Sequence, residues 1–326
     1  MASDRSTLRR ARSLASRLAV GAAMLGCPLS PVAARTLEIF ACEPEWAALT
    51  RILAPDARIT SATHARQDPH YIEARPALIG ALRRADLAVC TGASLEAGWL
   101  PALQQRAGNA AVQTGRPGLF LAAEFVTLDD AQAQVDRSRG DVHAEGNPHF
   151  HLDPKRLRLV ARALADRLGT LDPGERDAVR ARLAQWEGRW TARIEEWKQR
   201  AAPLAGKAIV AQHAGFAYLW RWLGLRQTAD LEPKPGLPPT VTHLQHVLQQ
   251  ARSDPPFAVV QSLYQDPQAA RWLVDRLPVP LLVLPSSVTD DGPARELEGL
   301  FEHLIGTLLG PGTSTGPSTT DRTPRR

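Results

Sequence analysis

From Thr36 onward, short runs of apolar residues alternate with longer stretches in which apolar positions recur every three or four residues. The short runs read as strands and the longer ones as amphipathic helices. In the first half the predicted strands are TLEIFAC, ARITSAT, DLAVCTG and a pair at AAVQTG and LFLAAE; the helices are WAALTRIL, RPALIGALRR and PKRLRLVARALADRL. The second half repeats the alternation, with strands at KAIVAQH, FAVVQSLY and VPLLVLPS and helices at FAYLWRWLG, TVTHLQHVLQQAR, PQAARWLVDRL and ARELEGLFEHLIGTLL. Strict alternation of this kind predicts an α/β protein of two lobes, each a parallel sheet flanked by helices. Between the halves Asp172, Pro173 and Glu175 form a helix start signal. Val179, Leu183, Trp186, Trp190, Ile194 and Trp197 follow at steps of three and four, a single apolar stripe along one long helix.

Composition narrows the class. The net charge of +5 is unevenly placed. Residues 1–34 carry five Arg against Asp4, net +4, and residues 311–326 carry three Arg against Asp321, net +2, so the body between them holds −1. No basic face is implied, and a nucleic-acid partner is not expected. The N-terminus has the order of an export signal: Arg-rich, then apolar from Leu18 to Gly26, then Val32-Ala33-Ala34 as a small-residue cleavage site. Cleavage near Ala34 predicts a periplasmic protein; Leu25-Gly26-Cys27 loosely matches a lipobox and offers a lipid anchor at Cys27 as the alternative. With residues 1–34 removed, Cys42 and Cys90 remain, each at the end of a predicted strand, and an oxidising compartment permits a bond between them. Two buried thiols are the other reading.

Three histidines stand between a strand-like and a helix-like run: His70 in QDPHYIEARP, His149 in GNPHFHLDP and His213 in AIVAQHAGFAYL. In parallel α/β folds ligands bind where strands end and helices begin. Neutral imidazole is the commonest metal ligand near neutral pH, and three converging imidazoles suit zinc. Their wide spacing excludes the compact structural zinc modules, whose ligands sit a few residues apart. Asp153 and Pro154, an N-cap and a first-turn proline, fix the start of the helix just after His149. His143 and His151 flank His149 as further ligands or as donors that orient a ligand ring, and Asp68 or Glu73 is placed to accept from the His70 ring. His64, His243, His246 and His303 read as solvated or surface groups.

The stretches QDPHYIEARPALIGALRRADLAVCTGASLEAGWLP, GDVHAEGNPHFHLDP and LEPKPGLPP resemble, in order and over about Thr36 to Leu309, the solute-binding proteins of bacterial zinc and manganese ABC importers. The resemblance implies a metal site at His70, His149 and His213, a rigid helix joining the lobes, and delivery of the ion to a membrane permease. Taken with the export signal and the small, polar, Pro-rich run after Gly310, it gives the organisation 1–34 signal peptide, 35–171 N-terminal lobe, 172–202 linking helix, 203–310 C-terminal lobe and 311–326 disordered tail, acting as a monomer. Imidazole at the third position favours zinc as the transported ligand over the harder manganese ion. Where the family places a fourth ligand, an Asp, this chain has Ser286, with Asp290 and Asp291 a few residues on. Water or one of these carboxylates completes the set, and an open fourth position is also how catalytic zinc is held. An exported zinc-dependent hydrolase therefore stands as an alternative, as does a manganese-binding receptor or adhesin of the same family. HExxH and Walker motifs are missing from the sequence, and its GxSxG match, Gly312 to Gly316, falls in the small, polar, Pro-rich tail and not between a strand and a helix as a nucleophile elbow requires, so no enzyme is expected.

Overall fold

A computed structural model describes residues 36–131 and 143–310. The predicted export signal, the Cys27 anchor and the C-terminal tail lie outside the described residues. The first half contains β1 (Glu38–Ala41), α1 (Pro44–Leu53), β2 (Arg58–Ser61), α2 (Pro76–Arg84), β3 (Leu87–Cys90), α3 (Leu100–Ala107), β4 (Leu119–Leu121) and α4 (Pro154–Leu171). After the long α5 (Arg176–Arg200) come β5 (Ala208–Ala211), α6 (Ala217–Leu223), β6 (Arg226–Asp230), α7 (Val241–Ser253), β7 (Ala258–Ser262), α8 (Gln268–Val274), β8 (Leu281–Leu284) and α9 (Leu297–Leu309). The strands form two four-stranded parallel sheets, ordered β2-β1-β3-β4 and β6-β5-β7-β8. The α/β class, the two lobes and the long joining helix are as the sequence implied.

Alternation along each central strand explains how the sheets are held. Ile39, Ala41, Leu87, Val89 and Phe120 face one core, while Phe40, Cys42, Ala88 and Cys90 face a second core beneath α2 and α3. In the other sheet Ile209, Ala211 and Val260 join the first of these cores, and Val210 and Val259 pack under α7 and α8. One face of each sheet thus belongs to a single shared core, and α5 runs through it. The stripe predicted for that helix is buried at Val179, Trp186, Trp190, Ile194 and Trp197, with Leu183 packed at its margin. Trp186 stacks on Trp190 with ring centres 4.9 Å apart, and Phe301 of α9 stacks on Trp197 at 5.3 Å. The Trp190 indole also donates to the Pro154 carbonyl at the start of α4, 2.8 Å away.

Three elements depart from the predicted pattern. AAVQTG makes no strand; Ala110–Val112 is a 3-10 turn, because the Asn109 side chain accepts from the Ala111 amide and caps it. Strand β6 has the sequence RQTAD, without an apolar alternation, and forms because an edge strand needs a partner on one side only. Helix α3 begins at a Leu-Pro pair and ends at Gly108, whose left-handed φ of 64° closes the helix. Cys42 and Cys90 are joined by a disulfide, with Cα atoms 4.8 Å apart, which ties the ends of β1 and β3 together.

Candidate metal centre

His70 lies in the loop after β2, His149 in the loop leading into α4, and His213 two residues beyond β5. The folded chain brings them together. One ring nitrogen from each of the three lies within 4.8 Å of the other two, and all three residues are buried. Ring centres are 5.6 Å apart for His70 and His149, 5.7 Å for His70 and His213, and 5.5 Å for His149 and His213.

Each loop is fixed by hydrogen bonds that the local sequence supplies. Asp68 Oδ1 accepts from the His70 amide at 3.0 Å and meets the ring Nδ1 at 2.7 Å. A carboxylate only accepts, so Nδ1 carries the proton and Nε2 is left with its lone pair. His213 is held the same way, with Nδ1 3.0 Å from Glu232 Oε2. Asp230 Oδ1 accepts from the His213 amide at 2.9 Å and the Glu232 amide at 2.8 Å, locking ring and acceptor into one unit. Asn147 joins the remaining two loops. Its side chain accepts from the His149 amide (2.9 Å) and donates to the Ala214 carbonyl (3.0 Å), while Tyr218 donates to its carbonyl (2.8 Å). The N-cap at Asp153 is as expected, with the side chain accepting from the Lys155 amide at 2.8 Å.

Two features mark the centre as built for more than packing. His149 Nε2 is buried and makes no hydrogen bond, an expensive state for a polar atom. His213 has φ 68° and ψ 158°, a region otherwise reserved for glycine, at a penalty on the order of 1–3 kcal/mol. Charge is graded across the rings. Burial, helped by the neighbouring imidazoles, pushes His149 well below the usual 6.5, so it stays neutral. Burial presses His213 the same way, but the hydrogen bond and charge of Glu232, with Asp230 and Asp68, outweigh it and raise its pKa. Asp68 is lowered: burial works against it, and the His70 contact prevails.

The other candidates sort clearly. His151 turns away from the three, donating from Nε2 to the Ser286 carbonyl at 2.8 Å. Its Nδ1 is 3.3 Å from Glu45 Oε1, an electrostatic contact without hydrogen-bond alignment, and Ser287 donates to the other oxygen of Glu45. Asp290 and Asp291 are exposed and do not join the group of three. Glu73 is exposed, and Asp68 takes the role offered to either. His64 is exposed, as expected, whereas His243 reaches from α7 to the Asp230 carbonyl at 2.9 Å and braces the loop behind His213. His143, expected with His151 as a further ligand or an orienting donor, has its Nε2 3.3 Å from His70 Nε2.

Sequence reasoning missed Asp230, Glu232 and a set of buried acids behind the site. Glu43, Glu45, His149, His151 and Ser287 help line a cavity of about 30 Å³. Glu43 and Glu96 converge on Thr91, whose amide is 2.6 Å from Glu96 Oε1 and whose hydroxyl donates to Glu43 at 2.9 Å. Burial first, then the neighbouring carboxylates Glu96 and Glu45, raise Glu43 well above its usual range, and burial raises Glu96 to about 7. The signal was the pair of acids in ACEPEW, directly after β1.

Against known families, residues 39–309 match the model of ZnuA, the zinc-uptake complex component A, periplasmic. The chain belongs to the ZnuA family. A curated relative, the high-affinity zinc uptake system protein ZnuA of Yersinia pestis, is 24% identical over 210 residues, which are 61% of this chain and 63% of that protein. The zinc-binding lipoprotein AdcA of Streptococcus pneumoniae is 21% identical over 213 residues, 64% of this chain and 41% of that protein. The chain therefore matches less than two thirds of the length of either relative. Among solved structures, a ZnuA deletion mutant with zinc bound superposes with a TM-score of 0.71 at 20% identity, covering 87% of this chain and all of that one. A manganese-bound mutant of a periplasmic metal-binding protein from Candidatus Liberibacter asiaticus gives 0.67 at 17% identity, covering 84% and 98%. These two likenesses show the fold alone.

Proposed function

We propose that this protein is an extracytoplasmic receptor that captures zinc through His70, His149 and His213 and delivers it to the permease of an ABC importer. The observation that carries this reading is the convergence of three buried imidazole nitrogens, drawn from both lobes, within 4.8 Å of one another. Tetrahedral zinc with Zn–N bonds of about 2.0–2.1 Å has N···N edges of about 3.3–3.4 Å, so side-chain adjustment alone would close the rings onto an ion. The anchored Nδ1 atoms of His70 and His213 leave Nε2 as the donor, and the unpartnered Nε2 of His149 is a lone pair in need of a Lewis acid. Asp68 and Glu232 supply the two negative charges that a divalent cation among neutral ligands requires. Nitrogen donors favour zinc over manganese. All three rings come from one copy, which suits a monomeric carrier. Membership of a family of uptake components supports delivery over catalysis, and periplasmic is the location that family's description names. No helix among the described residues is long and apolar enough to cross a membrane.

Zinc titration with a competing chelator tests the reading. The wild type should take up one equivalent and release it slowly, and His149→Ala should weaken binding by orders of magnitude while the far-UV spectrum is unchanged. Equal affinity in the two proteins overturns the assignment. A hydrolase would instead turn over ester, amide or phosphate substrates with the metal bound.

A further inference from the structure

The three rings leave the fourth vertex of a tetrahedron to be supplied. Ser286, where the family resemblance implies a carboxylate, has none, and its carbonyl is engaged by His151. Asp290 and Asp291 stand exposed on the turn beyond it. Resting on the receptor reading above, we propose that His143 is the fourth donor, so that the ion is held by four imidazoles. Three observations carry this.

The first is distance. His143 Nε2 lies 3.3 Å from His70 Nε2, which matches the edge of about 3.3–3.4 Å that two imidazoles on one tetrahedral zinc must share. The second is orientation. Asp68 occupies the other nitrogen of His70, so the His70 atom facing His143 is its metal-binding lone pair. His143 thus stands beside the donor atom of His70, with ring centres 5.4 Å apart, but outside the group of three whose nitrogens lie within 4.8 Å of one another, so sharing their ion requires its ring to move inward. The third is charge balance. Four neutral imidazoles bring no charge, and the two carboxylates behind the rings, Asp68 and Glu232, offset a divalent ion without a carboxylate in the first coordination sphere.

An all-nitrogen sphere sets the cargo class. It suits zinc and other late divalent metals and disfavours manganese, whose preference is for oxygen donors. A His-His-His-carboxylate site would be more permissive. Ser286 offers no carboxylate and His143 offers an imidazole, so the set changes in ligand type, with a gain in selectivity.

The experiment compares the wild type, His143→Ala and His149→Ala, full length, by zinc-edge X-ray absorption and by competitive titration with zinc and with manganese. The proposal expects four imidazole scatterers in the wild type and three plus a light oxygen in His143→Ala. Zinc affinity should fall at least as far as the ~10–100-fold that loss of an outer-shell partner costs, and the zinc-to-manganese affinity ratio should drop with it. An unchanged scatterer count and affinity in His143→Ala, while His149→Ala loses zinc, overturns the fourth-ligand assignment and leaves the receptor reading standing. Undiminished zinc binding in His149→Ala overturns the receptor reading itself.

Discussion

His213 holds a backbone conformation that only glycine adopts without strain, and the bonds to Asp230 and Glu232 keep it there. Glycine at this position should therefore give a more stable protein than alanine, by about 1 kcal/mol, although both variants lose a donor. Chemical denaturation of the two checks this; equal midpoints would mean that the loop relaxes. The pH response also resides in this residue. Glu232 favours the charged form of His213, so its pKa lies above 6.5 and protons compete with zinc from that higher value downward. With Glu232→Gln the raising influence goes, the pKa falls, and zinc binding should persist to lower pH than in the wild type. At about pH 8, where the ring is neutral in both, the same variant should bind roughly 10-fold more weakly, because the carboxylate no longer orients the ring. Affinity measured across pH 5 to about 8 should give curves that cross; parallel curves would sink this account. At this scale the converging trio was legible as candidate ligands, since His70, His149 and His213 stand where strands meet helices. Their supports were less so. Asp68 is two residues from its ring, but Glu232 is nineteen residues from His213 and reaches it only through the pairing of β5 with β6.

Helix α5 shows what an element contributes beyond its own stability. Its tryptophans are buried between α4, α1 and α9, and Trp190 is fully enclosed between the Trp186 stack and the edges of Trp197 and Phe301. Trp190→Ala removes that packing and the bond to Pro154, and should cost about 3–5 kcal/mol of stability. Because α4 begins at Pro154, a few residues past His149, some loss of zinc affinity should accompany it. Thermal melts with and without zinc separate the two effects. Glu302 of α9 adds a charged clasp, 2.7 Å from Arg193 and from Arg200 and 3.0 Å from the Trp197 indole. The helix was readable because its stripe persists for several turns with a clear start. Strand β6 was not, since Arg226, Gln227, Thr228 and Asp230 carry no apolar period, and its existence is decided by the strand beside it. AAVQTG misled for the opposite reason: its apolar run belongs to a capped turn whose one buried residue is Val112.

For the whole molecule the shared core is decisive. One face of each sheet and the apolar stripe of α5 are buried together, so the lobes have little freedom to swing apart. Near the centre, His151 to the Ser286 carbonyl and Ser287 to Glu45 tie the first half to the second again. Zinc binding should leave the radius of gyration measured by small-angle scattering unchanged, whereas hinge closure of the kind seen in sugar binders would shrink it. The architecture was legible as an order of elements, but which sheet faces meet α5 depends on the handed crossovers of the parallel sheets, a property that appears only in three dimensions. The donors are divided unevenly: His70 and His149 precede the joining helix and His213 follows it, and each carboxylate-backed ring keeps its acceptor on its own side. A displacement of a few ångströms that withdraws the one ring beyond α5 would break the chelate without disturbing any imidazole's tautomer. The cargo would then be left on an incomplete cradle and weakly held.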